Sequence, residues 1–174
     1  MKKGFNILDS FGYANKIFSN QKYNYTVVPK CASSIIIDTL KMTEGKNNNA
    51  KEHFTFIRHP FGRLKSYMYQ EECFTEEDTI NKIKSILHNF DNFNEHCVPY
   101  SLYITYDDFK FIGTLENFDD DFKNISSKKI IKESRREDYK DTEKIHDASI
   151  KKYSKEITNV FANDFKLYQK TTKI

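Results

Sequence analysis

Twice in its first half the chain runs a short β-leaning stretch into a tight turn and then into a helical pattern. Tyr23-Asn24-Tyr25-Thr26-Val27-Val28 is rich in residues that suit a buried, pleated strand. Pro29 ends it, because proline has no N–H to give a ladder. Ser33-Ser34 then precede Ile35, Ile36, Ile37 and Leu40, which reads as a cap followed by a mostly buried helix. The pattern returns with His53-Phe54-Thr55-Phe56-Ile57, after which Pro60 opens a helix carrying Leu64, Tyr67 and Met68 on one face. Strands alternating with helices predict an α/β fold: a three-layer parallel sheet flanked by helices, with ligand chemistry gathered at the strand C-termini.

The remaining chain fits one such domain. Gly45-Lys46-Asn47-Asn48-Asn49 reads as a loop. Ile80, Ile83, Leu87 and Phe90 recur at helical spacing, and Thr75 with Asp78 resembles a capping box before them. Phe109 to Gly113 is a further strand candidate and Glu116 to Ile125 a short acidic helix. Ile150, Tyr153, Ile157, Phe161 and Tyr168 lie on one face of a long closing element, expected to pack across the sheet. There is no internal repeat and no linker, so residues 1–174 are read as a single domain, long enough for one core.

Charge and cysteine content narrow the function class. A net charge of +3 lacks the dense basic stripe of a nucleic-acid binder and suits a small anionic ligand. Cys31, Cys73 and Cys97 form no CxxC pair, so a zinc framework is not expected and free thiols in a reducing compartment are. Asn6, Asp9 and Ser10 break the apolar run after Met1-Lys2-Lys3, and no stretch has the length of a membrane span. The expectation is a cytoplasmic protein without signal peptide or anchor.

The first turn, Pro29-Lys30-Cys31-Ala32-Ser33-Ser34, has the ingredients of a phosphate cradle. Its small residues let backbone N–H groups approach an anion, and the helix behind supplies a partial positive end. The second, Arg58-His59-Pro60-Phe61-Gly62-Arg63-Leu64-Lys65-Ser66-Tyr67, places Arg58 at a strand end, where its fork suits a phosphate. Ser66 follows about two helical turns on and faces the same side. The GxxxxGK(S/T) loop of nucleotide triphosphatases is absent.

Together these motifs resemble the donor-binding pair of the sulfotransferases, closest to the carbohydrate-modifying branch and its microbial and viral relatives. Asn94-Glu95-His96-Cys97-Val98-Pro99-Tyr100 is similar to that family's H-x-x-P segment. Phe111-Ile112-Gly113-Thr114-Leu115-Glu116-Asn117-Phe118 looks like its F-I-G-x-x-E-N-L block, and Tyr153, Asp164-Phe165 and Tyr168 resemble its closing helix. The resemblance covers about residues 25–168. It implies a fold like that of the P-loop nucleotide triphosphatases and a sulfate donor, 3′-phosphoadenosine 5′-phosphosulfate (PAPS), with no metal. Lys30, Cys31, Ala32, Ser33 and Ser34 would wrap the 5′ end, Arg58 and Ser66 would hold the 3′-phosphate, and Arg63 would support them.

Two positions depart from the family pattern: Ile35 stands where many relatives carry a hydroxyl, and His59 where an acidic or polar residue is common. The chain is also short, which leaves the acceptor open; a carbohydrate hydroxyl is the class the resemblance implies.

Sulfuryl transfer needs charge stabilisation on the leaving oxygen, assigned to Lys30, and a base for the acceptor hydroxyl. His96, in the matched segment, is the chosen base. His53, at the wrong end of its strand, is the second candidate, and Glu116 is read as structural. His88 and His146 are expected to be exposed, and Ser134, Arg135 and Arg136 to form a solvated loop. Asp119-Asp120-Asp121 point in different directions on a helix and make no metal site. Two alternatives stay open: a catalytically degenerate sulfotransferase-like domain, and a phosphotransferase of related fold.

Overall fold

The computed structural model describes residues 15–88, 96–128, 130 and 140–172. Phe90, Asn94, Glu95, Ser134, Arg135 and Arg136, singled out above, lie outside the described residues. Five strands, β1 (Ile17–Ser19), β2 (Tyr23–Thr26), β3 (Thr43–Glu44), β4 (Glu52–Ile57) and β5 (Phe111–Thr114), form one sheet in the order β3-β1-β2-β4-β5. The helices are α1 (Ser33–Leu40), α2 (Pro60–Gln70), α3 (Glu76–His88), α4 (Phe118–Lys123), α5 (Lys140–Lys152), α6 (Ser154–Val160) and α7 (Ala162–Thr172).

The sheet is mixed, which corrects the expectation of an all-parallel one. β2, β4 and β5 are parallel, whereas β1 runs antiparallel to β2 and β3 antiparallel to β1. The cause is local. The Asn20 carboxamide oxygen accepts the N–H groups of Lys22 and Tyr23, closing a tight turn between β1 and β2. Strands joined by so short a connection have to run antiparallel.

Alternation along the strands sorts two faces. Tyr23, Tyr25, Phe54, Phe56 and Phe111 share the first and pack with Ile36 and Leu40 of α1 and Phe118 and Phe122 of α4. Gly113 pairs with Phe56 in this face, and a Cβ there would lie 2.4 Å from the Phe56 ring. Val28, Ile57 and Ile112 lie on the second face with Cys31, Tyr100 and Ile104, covered by Leu167 and Tyr168 of α7. A third cluster lies among the helices, where Leu64, Tyr67 and Met68 of α2 meet Ile83 and Ile86 of α3, with Ile150, Ile157 and Phe161.

The closing element is three helices, not one. Tyr153 and Phe161 leave helical geometry and turn the chain, so Ile150, Tyr153, Ile157 and Phe161 pack on α2 and α3. Of these three helices, α7 packs against the sheet, at β5. His146 is also corrected: it is fully buried, with Nε2 2.6 Å from the Cys73 carbonyl oxygen, because α5 turns that face onto α2 and α3.

Candidate functional site

Three turns meet at the C-terminal ends of the parallel strands. The turn after β2 holds two non-glycine residues in the left-handed region, Lys30 (φ 67°) and Ala32 (φ 62°). Each costs on the order of 1–2 kcal/mol, and strain of this kind clusters where a ligand needs it. Left-handed residues in a turn also aim successive N–H groups into a concavity. The N-cap of α1 is Ala32, which has no side chain to accept from the first helical turn. Those N–H groups therefore face the turn, with Ser34 exposed beside them.

Ser33 serves the fold. Its Oγ donates to the Val28 carbonyl (3.1 Å) and lies 3.0 Å from the Tyr25 hydroxyl, all buried. The Cys31 N–H donates to Val28 and its thiol is buried, with burial pushing its pKa up to about 12. Cys31 shapes the turn from the core side.

The turn after β4 carries Arg58, which is buried, with Nε 4.0 Å from Glu116 Oε1 in the turn after β5. Glu116 Oε1 also accepts the His59 N–H (3.1 Å), and its Oε2 accepts the Tyr168 hydroxyl (3.1 Å). Gly62 makes room for this pair: a Cβ there would sit 3.0 Å from Arg58 Nε and 3.6 Å from Glu116 Oε1. Burial foremost holds the His59 pKa below its usual range, against the opposing pull of Glu116.

Helix α2 joins the two turns. Arg63 is buried and donates from Nε to the Pro29 carbonyl (3.1 Å) and from Nη1 to the Val98 carbonyl (2.6 Å). At the far end, the Gln70 side-chain oxygen accepts the Lys30 ammonium. Gly62, Ser66 and Gln70 form one row at four-residue spacing along α2. Since Gly62 borders Arg58 and Gln70 holds Lys30, Ser66 sits on the helix face between the two cations. Burial, then the charges of Arg58 and Arg63, lower the Lys30 pKa, and Glu71 partly offsets them.

His96 is half-buried where the chain enters the Cys97–Tyr100 segment, and its positive form is one of the charges lowering the Glu71 pKa, after Lys82 and Tyr67. Glu71 follows Gln70 at the end of α2, so His96 and Lys30 are both in electrostatic reach of one carboxylate. His53 is elsewhere. Its Nε2 lies 2.7 Å from Thr26 Oγ1 and its ring packs on Phe109, near the start of β4. Asp121 accepts the Thr114 N–H and hydroxyl, and Asp120 pairs with Lys123.

Sequence reasoning missed Gln70, named Tyr100 only within the segment ending at it, and read Asp164 and Tyr168 only as part of a helix. Asp164 is fully buried; burial raises its pKa and the Arg63 charge opposes that. Gln70 carried one signal, its four-residue spacing from Ser66. Compared with known proteins, the chain matches no family model, no curated protein and no solved structure.

Proposed function

We propose that the chain is a sulfotransferase of P-loop-like α/β fold that binds PAPS along α2 and transfers its sulfuryl group to an acceptor hydroxyl, of carbohydrate class. The observation that carries this reading is the row Gly62–Ser66–Gln70, which spans from Arg58 to Lys30. Two motifs remote in sequence thereby share one helix face. Arg58 and Ser66 would take the 3′-phosphate, and Lys30, Ala32 and Ser34 with the first N–H groups of α1 the 5′ end. Ser33 and Cys31 would hold that turn in shape.

In the transfer, the acceptor oxygen attacks sulfur in line while the bond from sulfur to the bridging oxygen breaks, releasing adenosine 3′,5′-bisphosphate. Lys30 stabilises the charge that develops on that oxygen, and its lowered pKa makes it a readier proton donor. His96, in electrostatic reach of Glu71 as Lys30 is, accepts the acceptor's proton. Positioning and charge stabilisation supply most of the rate in such displacements.

Saturating adenosine 3′,5′-bisphosphate should raise the melting temperature by about 5–10 °C, from about 2.7 kcal/mol at a hundredfold excess over Kd. Arg58→Ala should remove the shift. No shift in the wild type sinks the reading, and a shift with ATP alone favours a phosphotransferase. A shift without labelled sulfate transfer from PAPS to glycans favours a degenerate binding domain.

A further inference from the structure

Helix α7 grips Arg58 from two directions through residues one turn apart. Asp164 Oδ2 accepts the Tyr100 N–H (3.1 Å), and Oδ1 accepts the Ser101 N–H (2.8 Å). The Tyr100 hydroxyl donates to the Asp164 carbonyl (2.9 Å) and lies 3.4 Å from the Arg58 carbonyl oxygen. That is the backbone side. On the guanidinium side, the Tyr168 hydroxyl holds one oxygen of Glu116 while the other accepts the His59 N–H and faces Arg58 Nε.

We propose that Tyr168, acting through Glu116, is a positioning residue for the anion site at Arg58, with α7 pinned in place by Asp164. This rests on the reading of Arg58 as an anion ligand. A guanidinium binds a phosphate through two parallel N–H bonds only when its plane is correctly turned. Gly62 leaves room beside both groups, since a Cβ there would lie 3.0 Å from Arg58 Nε and 3.6 Å from Glu116 Oε1, and Glu116 faces Arg58 Nε in that space. With Glu116 fixed by two neutral donors, the fork is held before a ligand arrives, and less freedom is lost on binding. Glu116 also has a cost, since its charge repels the anion. Replacing it alone mixes the two effects, so the coupling between Tyr168 and Glu116 is the quantity to measure.

The test is a double-mutant cycle on affinity by titration calorimetry, with adenosine 3′,5′-bisphosphate and inorganic phosphate as probes, in wild type, Tyr168→Phe, Glu116→Gln and the double variant. Tyr168→Phe should weaken binding about three- to tenfold in the wild-type background and less than about twofold beside Glu116→Gln. A merely structural role for the hydroxyl gives equal losses in both backgrounds, and that result, or no loss at all, overturns the proposal. If phosphate binds through Arg58, as judged by its loss in Arg58→Ala, but the bisphosphate binds no tighter, the nucleotide reading fails. The cycle is then decided with phosphate. A wild type that binds neither probe overturns both.

Discussion

At the scale of single residues, buried polar groups mark where the chain accepts constraint. His146 has Nε2 on the Cys73 carbonyl, its ring edge-on to Tyr69, and an Nδ1 with no hydrogen-bond partner. Burial above all lowers its pKa; Lys65 of α2 adds to this, while the Cys73 carbonyl and Asp147 and Glu143 of α5 oppose it. With the folded value below the ordinary 6.5, the unfolded chain takes up the proton first on acidification. The neutral ring's contribution is therefore whole above about pH 6.5 and is lost as pH falls through the folded value. His146→Gln keeps a donor for Cys73 and cannot charge. Between about pH 7.5 and 5.5 its melting temperature should fall less than that of the wild type; an equal fall would count against a buried neutral ring. This burial was legible in part, since His146 shares a helical stripe with Ile150 and Tyr153. A histidine amid charged neighbours nonetheless reads as surface until its partner layer is known.

At the scale of elements, the strands were readable and their ends were not. β2 and β4 stand where β-branched and aromatic runs predicted them, and Thr75 caps α3 by accepting the Asp78 N–H (3.1 Å). The start of α1 was misread. A serine before an apolar run signals a cap, but Ser33 turns inward to Val28 and Tyr25, and a left-handed alanine does the capping. Nor did the loop composition of Gly45–Asn49 reveal its order. Asn47 and Asn24 exchange hydrogen bonds of 2.9 and 3.0 Å, fixing that loop to β2. In β5, Gly113 answers to Phe56, whose ring is walled in by Phe54, Phe111, Phe118 and Phe122. Gly113→Ala should lower stability by about 1–3 kcal/mol or more in chemical denaturation. A neutral result would mean that the Phe56 ring can move aside.

For the whole molecule, composition and alternation were enough for the α/β class, while the mixed sheet and the broken closing element needed three-dimensional information. A three-residue β1 is too short to announce itself, and helical periodicity survives a kink that keeps the same residues inward. Tyr100 ties the layers together, reaching from the sheet-end turn at Arg58 to α7. Tyr100→Phe removes the hydroxyl that donates to the Asp164 carbonyl and should cost about 1–2 kcal/mol. For a chain of 174 residues that is about 2–8 °C in melting temperature, with near- and far-ultraviolet circular dichroism still melting together. An unchanged melting temperature would show that the hydroxyl carries no tie.

The grip of α7 also bears on when the site comes into being. Tyr100 and Asp164 are 64 residues apart, and Glu116 and Tyr168 are 52 apart. β4 and β5 pair across a comparable separation, Phe54 with Phe111, so order of synthesis and not loop length sets α7 apart from the sheet. During synthesis the turns after β2, β4 and β5 all emerge before the helix that holds them. A nascent chain therefore has every strand of its sheet outside before α7, and the proposed anion site is complete only once α7 has docked.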